Sequence, residues 1–413
     1  MSRLPSVEIG IGILVLTVWS AGAAPKPDPR PIHDSALVID GHADTPQRFL
    51  DEGFDIATDT PVSEGHLDLG KARAGNLGAE FFSIWVDPKP HVGRFAVRAL
   101  QLIDSVLLQI SRHPDQLALA TSTQDILAAR MGASKKLACL MGLEGGHAIE
   151  NDLGVLRDFY RLGVRYMTLT WSNTNDWADS SGDLHDPKVK HHDGLTDFGQ
   201  QVVHEMNRLG MIVDISHVSD KTFYDVLKVT RTPVIASHSS ARALANSPRN
   251  MTDEMLRALA ANGGVAMVNF FAAFIDDNYR KAEQAQRANR IAAINAATAN
   301  LRLDPGARLR ARRQVEREWA AKIERPPFEA LINHIDHVVK VAGIDHVGLG
   351  SDFDGIPSTP KGMDSAADLP KITEALVTRG YSGEEIHKIL GGNFLRVFKR
   401  VEQVSGELNP PRR

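Results

Sequence analysis

Cysteine is almost absent from this chain. Among 413 residues only Cys139 is present, so no intramolecular disulfide can form, and stability must come from the core and any bound metal. That thiol lies in the apolar run from Leu137 to Leu143 and reads as a small buried hydrophobe. With no cysteine beside the N-terminal apolar segment, the attachment point of a bacterial lipid anchor is missing too. An excess of one charge sign is also lacking: 47 Lys and Arg stand against 51 Asp and Glu, a formal net charge of -4. This removes the electrostatic case for nucleic acid or any other polyanion and makes a small molecule the expected partner. No internal repeat appears beyond an alternation of short apolar runs with helix-length stretches. The apolar segment from Ile9 to Trp19 falls short of the ~20 residues of a membrane span.

That segment follows Arg3 and precedes Ala21-Gly22-Ala23, a small-x-small pattern. It predicts a signal peptide cut after Ala23, export to the periplasm or medium, and no stable membrane anchor. Glu8 is atypical there, and an uncleaved anchor is the alternative. Residues 24–413, 43% hydrophobic and 24% charged over the whole chain, are expected to form one globular barrel domain.

Eight apolar runs read as strands: Ala36 to His42, Ala79 to Val86, Ala138 to Glu144, Tyr166 to Trp171, Met211 to His217, Val234 to His238, Gly264 to Phe270 and His346 to Asp352. Amphipathic helical patterns lie between them, two opening on caps at Thr196-Asp197 and Thr252-Asp253-Glu254. Eight βα units predict an α/β fold, a (β/α)8 TIM barrel. An open doubly wound sheet would instead place one crevice at a switch point. The stretch 279–325, rich in Ala, Arg, Gln and Glu with Pro305-Gly306 inside it, predicts a helical hairpin inserted after strand seven. Its arginines, interspersed with glutamates, read as a solvated face. The polar connection 178–194, with His185, His191 and His192, reads as a rim or lid.

Five of these runs finish on, or just before, a metal-capable side chain: His42 with Asp44, Glu144, His217, His238 and Asp352. In a barrel such ends converge on one mouth. Imidazoles with carboxylates and no thiolate suit zinc or a similar divalent ion. One catalytic zinc takes about three protein ligands, so five favour two ions, with Glu144 bridging a His42/Asp44 ion and a His217/His238 ion. Two such ions activate water and stabilise an oxyanion, the chemistry of amide hydrolysis. Asp352 is placed to accept the water proton and pass it to a leaving amine.

The motifs Ile39-Asp40-Gly41-His42-x-Asp44, Leu143-Glu144-Gly145-Gly146-His147, Asp214-Ile215-Ser216-His217, Ser237-His238-Ser239-Ser240 and Gly350-x-Asp352-Phe353-Asp354-Gly355 occur in order. Through them the chain resembles the renal (membrane) dipeptidase family from about Ile32 to about Phe398. The resemblance implies a binuclear zinc dipeptidase on a (β/α)8 barrel, usually a homodimer. His42 and Asp44 would bind one zinc and His217 and His238 the other, with Glu144 bridging and Asp352 as catalytic aspartate. Arg249, in Ser247-Pro248-Arg249-Asn250, matches the arginine that holds the substrate's terminal carboxylate, a role suited to a guanidinium fork. His147 is expected to hydrogen-bond structurally, Asp354 to serve a turn, and His66 has no evident partner. One departure stands out: many relatives carry a carbonyl-binding histidine after strand four where this chain has Trp171. Indole donates one hydrogen bond but carries no proton. It would stack on substrate or redirect the enzyme.

The leading expectation is therefore an exported zinc dipeptidase, with C-terminal D-residues among its possible substrates. The alternatives are a related metallohydrolase acting on N-acyl amino acids or lactones, and a binder without catalysis.

Overall fold

A computed structural model of the protein describes residues 27–131, 135–301 and 304–410, together with Met1. The expected signal segment therefore lies outside the described residues, apart from Met1. Among the described residues nine parallel strands are present: β1 Val38–Ala43, β2 Leu77–Trp85, β3 Leu117–Leu119, β4 Leu137–Glu144, β5 Val164–Thr168, β6 Ile212–Asp214, β7 Ile235–Ala236, β8 Val265–Val268 and β9 Val347–Leu349. They pair in the order β2-β1-β9-β8-β7-β6-β5-β4, and a β2–β4 pairing closes the ring. The eight-stranded barrel expected from the sequence is thus formed. β3 is an addition that the sequence did not reveal. It pairs only with Leu137–Cys139 of β4, before the β5 pairing starts at Met141, and three residues are too few to show a period.

Alternation along the strands divides the core in two. Ile39, Phe81, Leu140, Tyr166, Ile212 and Met267 fill the barrel, and Phe394, Val397 and Phe398 of the helix Asn393–Leu408 join the same cluster. Their sequence neighbours Phe82, Cys139, Met141 and Val213 belong to a second, larger cluster that includes Leu102, Phe159 and Val202 of the surrounding helices. Both predicted caps form: Thr196 accepts the Gly199 N–H and Thr252 the Met255 N–H.

Between β8 and β9 the chain makes the expected hairpin, with helices Asp277–Thr298 and Pro305–Ala320 capped by Asp276 and Asp304. It does not stand off in solvent. Arg313 reaches Glu52 at 3.5 Å and the Asp354 carbonyl at 2.7 Å, and Arg312 reaches Asp87 at 3.8 Å. Glu52 and Asp87 follow β1 and β2, so the hairpin that leaves after β8 reaches past β9 to the barrel-mouth ends of those two neighbouring strands.

Candidate active site

The strands deliver their polar ends to that mouth. His42 lies in β1, with Asp44 just beyond it, and Glu144 is the last residue of β4. His217, His238 and Asp352 come just after the regular pairing of β6, β7 and β9 has stopped. The expected strands ran through these three residues. The backbone shows why they do not: His217 and Asp352 take φ of 67° and 65°. Non-glycine residues rarely adopt that left-handed region, and the turn takes them off the sheet at a functional site.

The three imidazoles present Nε2 to one carboxylate. His42 Nε2 lies 3.4 Å from Glu144 Oε2, and the Nε2 atoms of His217 and His238 lie 3.0 and 3.6 Å from Glu144 Oε1. The two latter nitrogens are 2.9 Å apart. Each ring is held from behind by a hydroxyl: Tyr166 on His42 Nδ1 at 2.7 Å, Ser237 on His238 Nδ1 at 2.8 Å and Ser172 on His217 Nδ1 at 3.3 Å. Tyr166 fits because β4 carries Gly142, where a Cβ would come within 1.9 Å of its ring. Asp44 Oδ2 stands 3.8 Å from His42 Nε2, and Asn269 Nδ2 donates to Asp352 Oδ2 at 2.9 Å. Asp44 and Asp352 are drawn together across Gly355, whose added Cβ would meet Asp44 Oδ2 at 2.0 Å and Asp352 Oδ1 at 2.5 Å.

Electrostatically the cluster calls for a cation. Burial alone would lower the His42 imidazole, yet Glu144, Asp44 and Asp352 outweigh it and push it up to about 10. Burial raises Asp44, as does Glu144, and Asp352 is pushed up to about 6 by burial against the opposing pull of His42. Burial and the Arg249 cation take His217 down to about 3, and burial with His42 holds His238 well below the usual range. His217 and His238 are thereby held neutral, the form of imidazole that ligates metal.

A cavity of about 390 Å³ opens over this cluster. Arg249 lines it, with Nη1 3.3 Å from Ser239 Oγ and Nη2 3.2 Å from the His238 carbonyl. Among the described residues no carboxylate pairs with Arg249. Trp171 forms part of the opposite wall, its ring 4.9 Å from that of Trp85 and 6.3 Å from that of His217. Arg290, Arg312, Arg313 and Arg317 of the hairpin line the same space. This corrects the expectation of a solvated face: the basic residues face the site because the hairpin folds over it.

The chain matches the model of the membrane dipeptidase family, peptidase family M19, over residues 28–412. It belongs to that family. Dipeptidase 3 of Homo sapiens is 34% identical over 379 residues, 90% of this chain and 66% of that protein. Dipeptidase 3 of Rattus norvegicus is 34% identical over 89% of this chain and 65% of its own. The chain thus spans just under two thirds of the length of these relatives. Among solved structures, the probable dipeptidase PvdM from Pseudomonas aeruginosa superposes with a TM-score of 0.74 at 28% identity, covering 91% of this chain and 98% of that one. A metallopeptidase from Rhodobacter sphaeroides, liganded with a phosphinate mimic of L-Ala-D-Ala, gives 0.70 at 25% identity over 89% of this chain and 99% of that one.

A family of metallopeptidases implies a metal, and the residues of this membrane dipeptidase family member fit one. His42 Nε2 and Asp44 Oδ1 are buried without a hydrogen-bond partner among the described residues. Ligand atoms of His42, Glu144 and His238 lie within 4.8 Å of one another, and so do those of His42, Asp44 and Asp352. Unpartnered buried donors and acceptors of this kind are costly unless a ligand satisfies them.

All the sequence-derived site residues meet in this one space. His147 stands aside, with Nε2 on the Val86 carbonyl at 2.9 Å. Asp354 accepts the His66 N–H at 2.7 Å and the Thr45 hydroxyl at 2.8 Å. His185 and His191 line a different surface cavity, and His192 Nε2 meets the Asn175 carbonyl at 2.9 Å. None of these three supplies a donor in place of Trp171. The residues that sequence reasoning missed are Trp85 and the hairpin arginines, the latter signalled only by the density of arginine in 279–325, while His66, left without a partner there, lines the same cavity.

Proposed function

We propose that this protein is an exported binuclear zinc dipeptidase that hydrolyses the peptide bond of free dipeptides, those with a C-terminal D-residue among them. The observation that carries the reading is Arg249, a buried guanidinium with no ion pair among the described residues, in the same roofed cavity as the metal-ligand cluster. A cation left unpaired beside a desolvated site is destabilising until an anion arrives, and a substrate carboxylate is the anion that suits its fork. The roof and the modest volume favour a short substrate over a polypeptide.

In this reading His42 and Asp44 would hold one zinc and His217 and His238 the other, with Glu144 as a ligand they share. Bound zinc would lower the pKa of water and stabilise the oxyanion. Arg249 fixes the terminal carboxylate and so places the peptide carbonyl over the cluster. Asp352, oriented by Asn269, takes a proton from the attacking water and returns it to the leaving amine nitrogen. Trp85 and Trp171 form an apolar wall that limits water access. Trp171 leaves the carbonyl oxygen one protein donor short of what the resemblance implies. Removal of one such donor costs on the order of 10²–10³ in rate, so turnover is expected to be low for the family.

Export follows from the Arg3 to Ala23 pattern, with cleavage after Ala23. A homodimer is the assembly implied by the family. Among the described residues no helix is long and apolar enough to cross a membrane.

The test is amine release from a panel of L,L and L,D dipeptides by zinc-loaded protein, with Asp352→Asn as the blank. Release by the wild type alone supports the assignment and shows its stereochemical preference. Silence across the panel with two zinc ions bound refutes it, and N-acyl amino acids and lactones then become the substrates to screen, with Trp171 as the reason.

A further inference from the structure

We propose that His66 and Arg317 form a second acceptor-binding subsite, one that reads an acidic side chain on the amino-terminal residue of the substrate. This rests on the dipeptidase reading above. The Asp354 backbone N–H donates to His66 Nδ1 at 2.9 Å. A backbone N–H only donates, so Nδ1 is the acceptor and a neutral His66 carries its proton on Nε2. Burial, helped by Arg313, Arg48 and Lys71 against Asp354, holds the ring down to about 4 and so neutral. His66 lines the cavity, and its Nε2 has no partner among the described residues. It is a donor without acceptor capacity, unsuited to an ammonium and suited to a carboxylate.

Arg317 gives the second half. It lines the same cavity from the hairpin helix Pro305–Ala320. Its neighbours Arg290, Arg312 and Arg313 are each paired, with Glu283, Glu316 and Glu52. Arg317 has no ion pair within 4.0 Å among the described residues. Burial and Arg313 lower Arg317, and Glu52 and then Glu64, which lies on the same rim, favour its charge without pairing with it.

Position decides which substrate residue is read. Asp354 adjoins Gly355, which abuts Asp44, so His66 sits on the β1 side of the metal cluster. Arg249 touches the His238 carbonyl on the β7 side. A dipeptide with its carboxylate on Arg249 therefore extends its first residue toward His66 and Arg317.

Calorimetry with reduced-amide analogues of Asp-Ala and Asn-Ala, which cannot be cleaved, tests this on the full chain. The Asp analogue should bind about tenfold tighter than its neutral isostere, as expected of charge-assisted hydrogen bonds. Arg317→Gln should bring the ratio close to one, and Arg317→Glu should turn the preference to a Lys-Ala analogue. His66→Phe should also reduce the ratio. If that variant misfolds through loss of the Asp354 contact, Arg317→Gln still decides. Equal binding of the two analogues by the wild type, or an unchanged ratio in Arg317→Gln, overturns the subsite. Cleavage of Ala-Ala by the wild type separates the two ideas: if it occurs while the Asp/Asn ratio is one, the subsite fails and the dipeptidase reading stands. If no dipeptide is cleaved, the dipeptidase reading fails and the analogue ratio still decides the subsite.

Discussion

Adding a single methyl group at Gly355 should separate the two carboxylates on which the site depends. A Cβ there would stand 2.0 Å from Asp44 Oδ2 and 2.5 Å from Asp352 Oδ1, whereas real Cβ contacts do not fall below 3.0 Å. Something must yield by about 1 Å. The backbone is poorly placed to do so, because the Asp44 and Asp352 N–H groups are bonded to the Phe353 and His42 carbonyls at 2.8 and 2.9 Å, and Asp354 N–H to His66. The side chains are freer, since Asp44 Oδ1 has no partner among the described residues. In Gly355→Ala they should swing apart, moving the proposed metal ligand Asp44 and the proposed proton acceptor Asp352 out of register. A displacement of ~1 Å at a reacting centre costs roughly 10²-fold, equivalent to ~2.7 kcal/mol of barrel-mouth preorganisation. The assay is kcat/KM on the best dipeptide of the panel, with bound zinc counted by native mass spectrometry and the fold checked by circular dichroism. A folded Gly355→Ala protein within threefold of wild type and fully metal-loaded would refute the reasoning.

Arg249→Lys should raise KM more than it lowers kcat, because a point charge replaces a bidentate fork. Dipeptide amides, which lack the carboxylate, should be poor substrates of both proteins, and equal KM values for acid and amide would exclude the assigned role. Tyr166→Phe removes the hydroxyl on His42 Nδ1 and should weaken metal binding by about 10–100-fold, read by competition with a chelator. Unchanged affinity would mean that the hydroxyl does not orient the ring. Glu80 is buried on β2 in register with Asp40, and neither of its carboxyl oxygens has a partner among the described residues. Burial and Asp40 raise it well above 4.5. The folded state then binds the extra proton, so stability falls as pH rises from about 4.5 towards the raised value. Glu80→Gln should abolish that part of the fall, making the variant gain on wild type between pH 5 and pH 8 in thermal melts. A constant difference in Tm across that range would count against it.

The barrel was legible because its strands are apolar runs of ordinary length, separated by amphipathic helices of which two open on Thr caps, and because five of the eight runs announced their mouth end with a metal-capable side chain. β3 was not, since three residues carry no period, and its pairing with Leu137–Cys139 is decided only when the sheet assembles. Strand ends were overextended at His217, His238 and Asp352, because the left-handed turns that release His217 and Asp352 from the sheet leave no mark in composition. The hairpin was placed correctly and its chemistry misread: alternating Arg and Glu look the same on a solvated helix as on one that roofs a cavity.

By itself the sequence singled out a candidate ligand set, because metal chemistry restricts it to few residue types and a barrel restricts those to strand ends. It also determined that no disulfide could contribute. Tertiary structure alone decided which ring nitrogen His42 and His217 present, since Tyr166 and Ser172 lie far from those imidazoles along the chain. It decided that Arg249 has no ion pair among the described residues and that the hairpin arginines line the cavity over the mouth. Those properties arise from contacts between segments distant in sequence, and a contact of that kind is fixed by packing, not by local pattern.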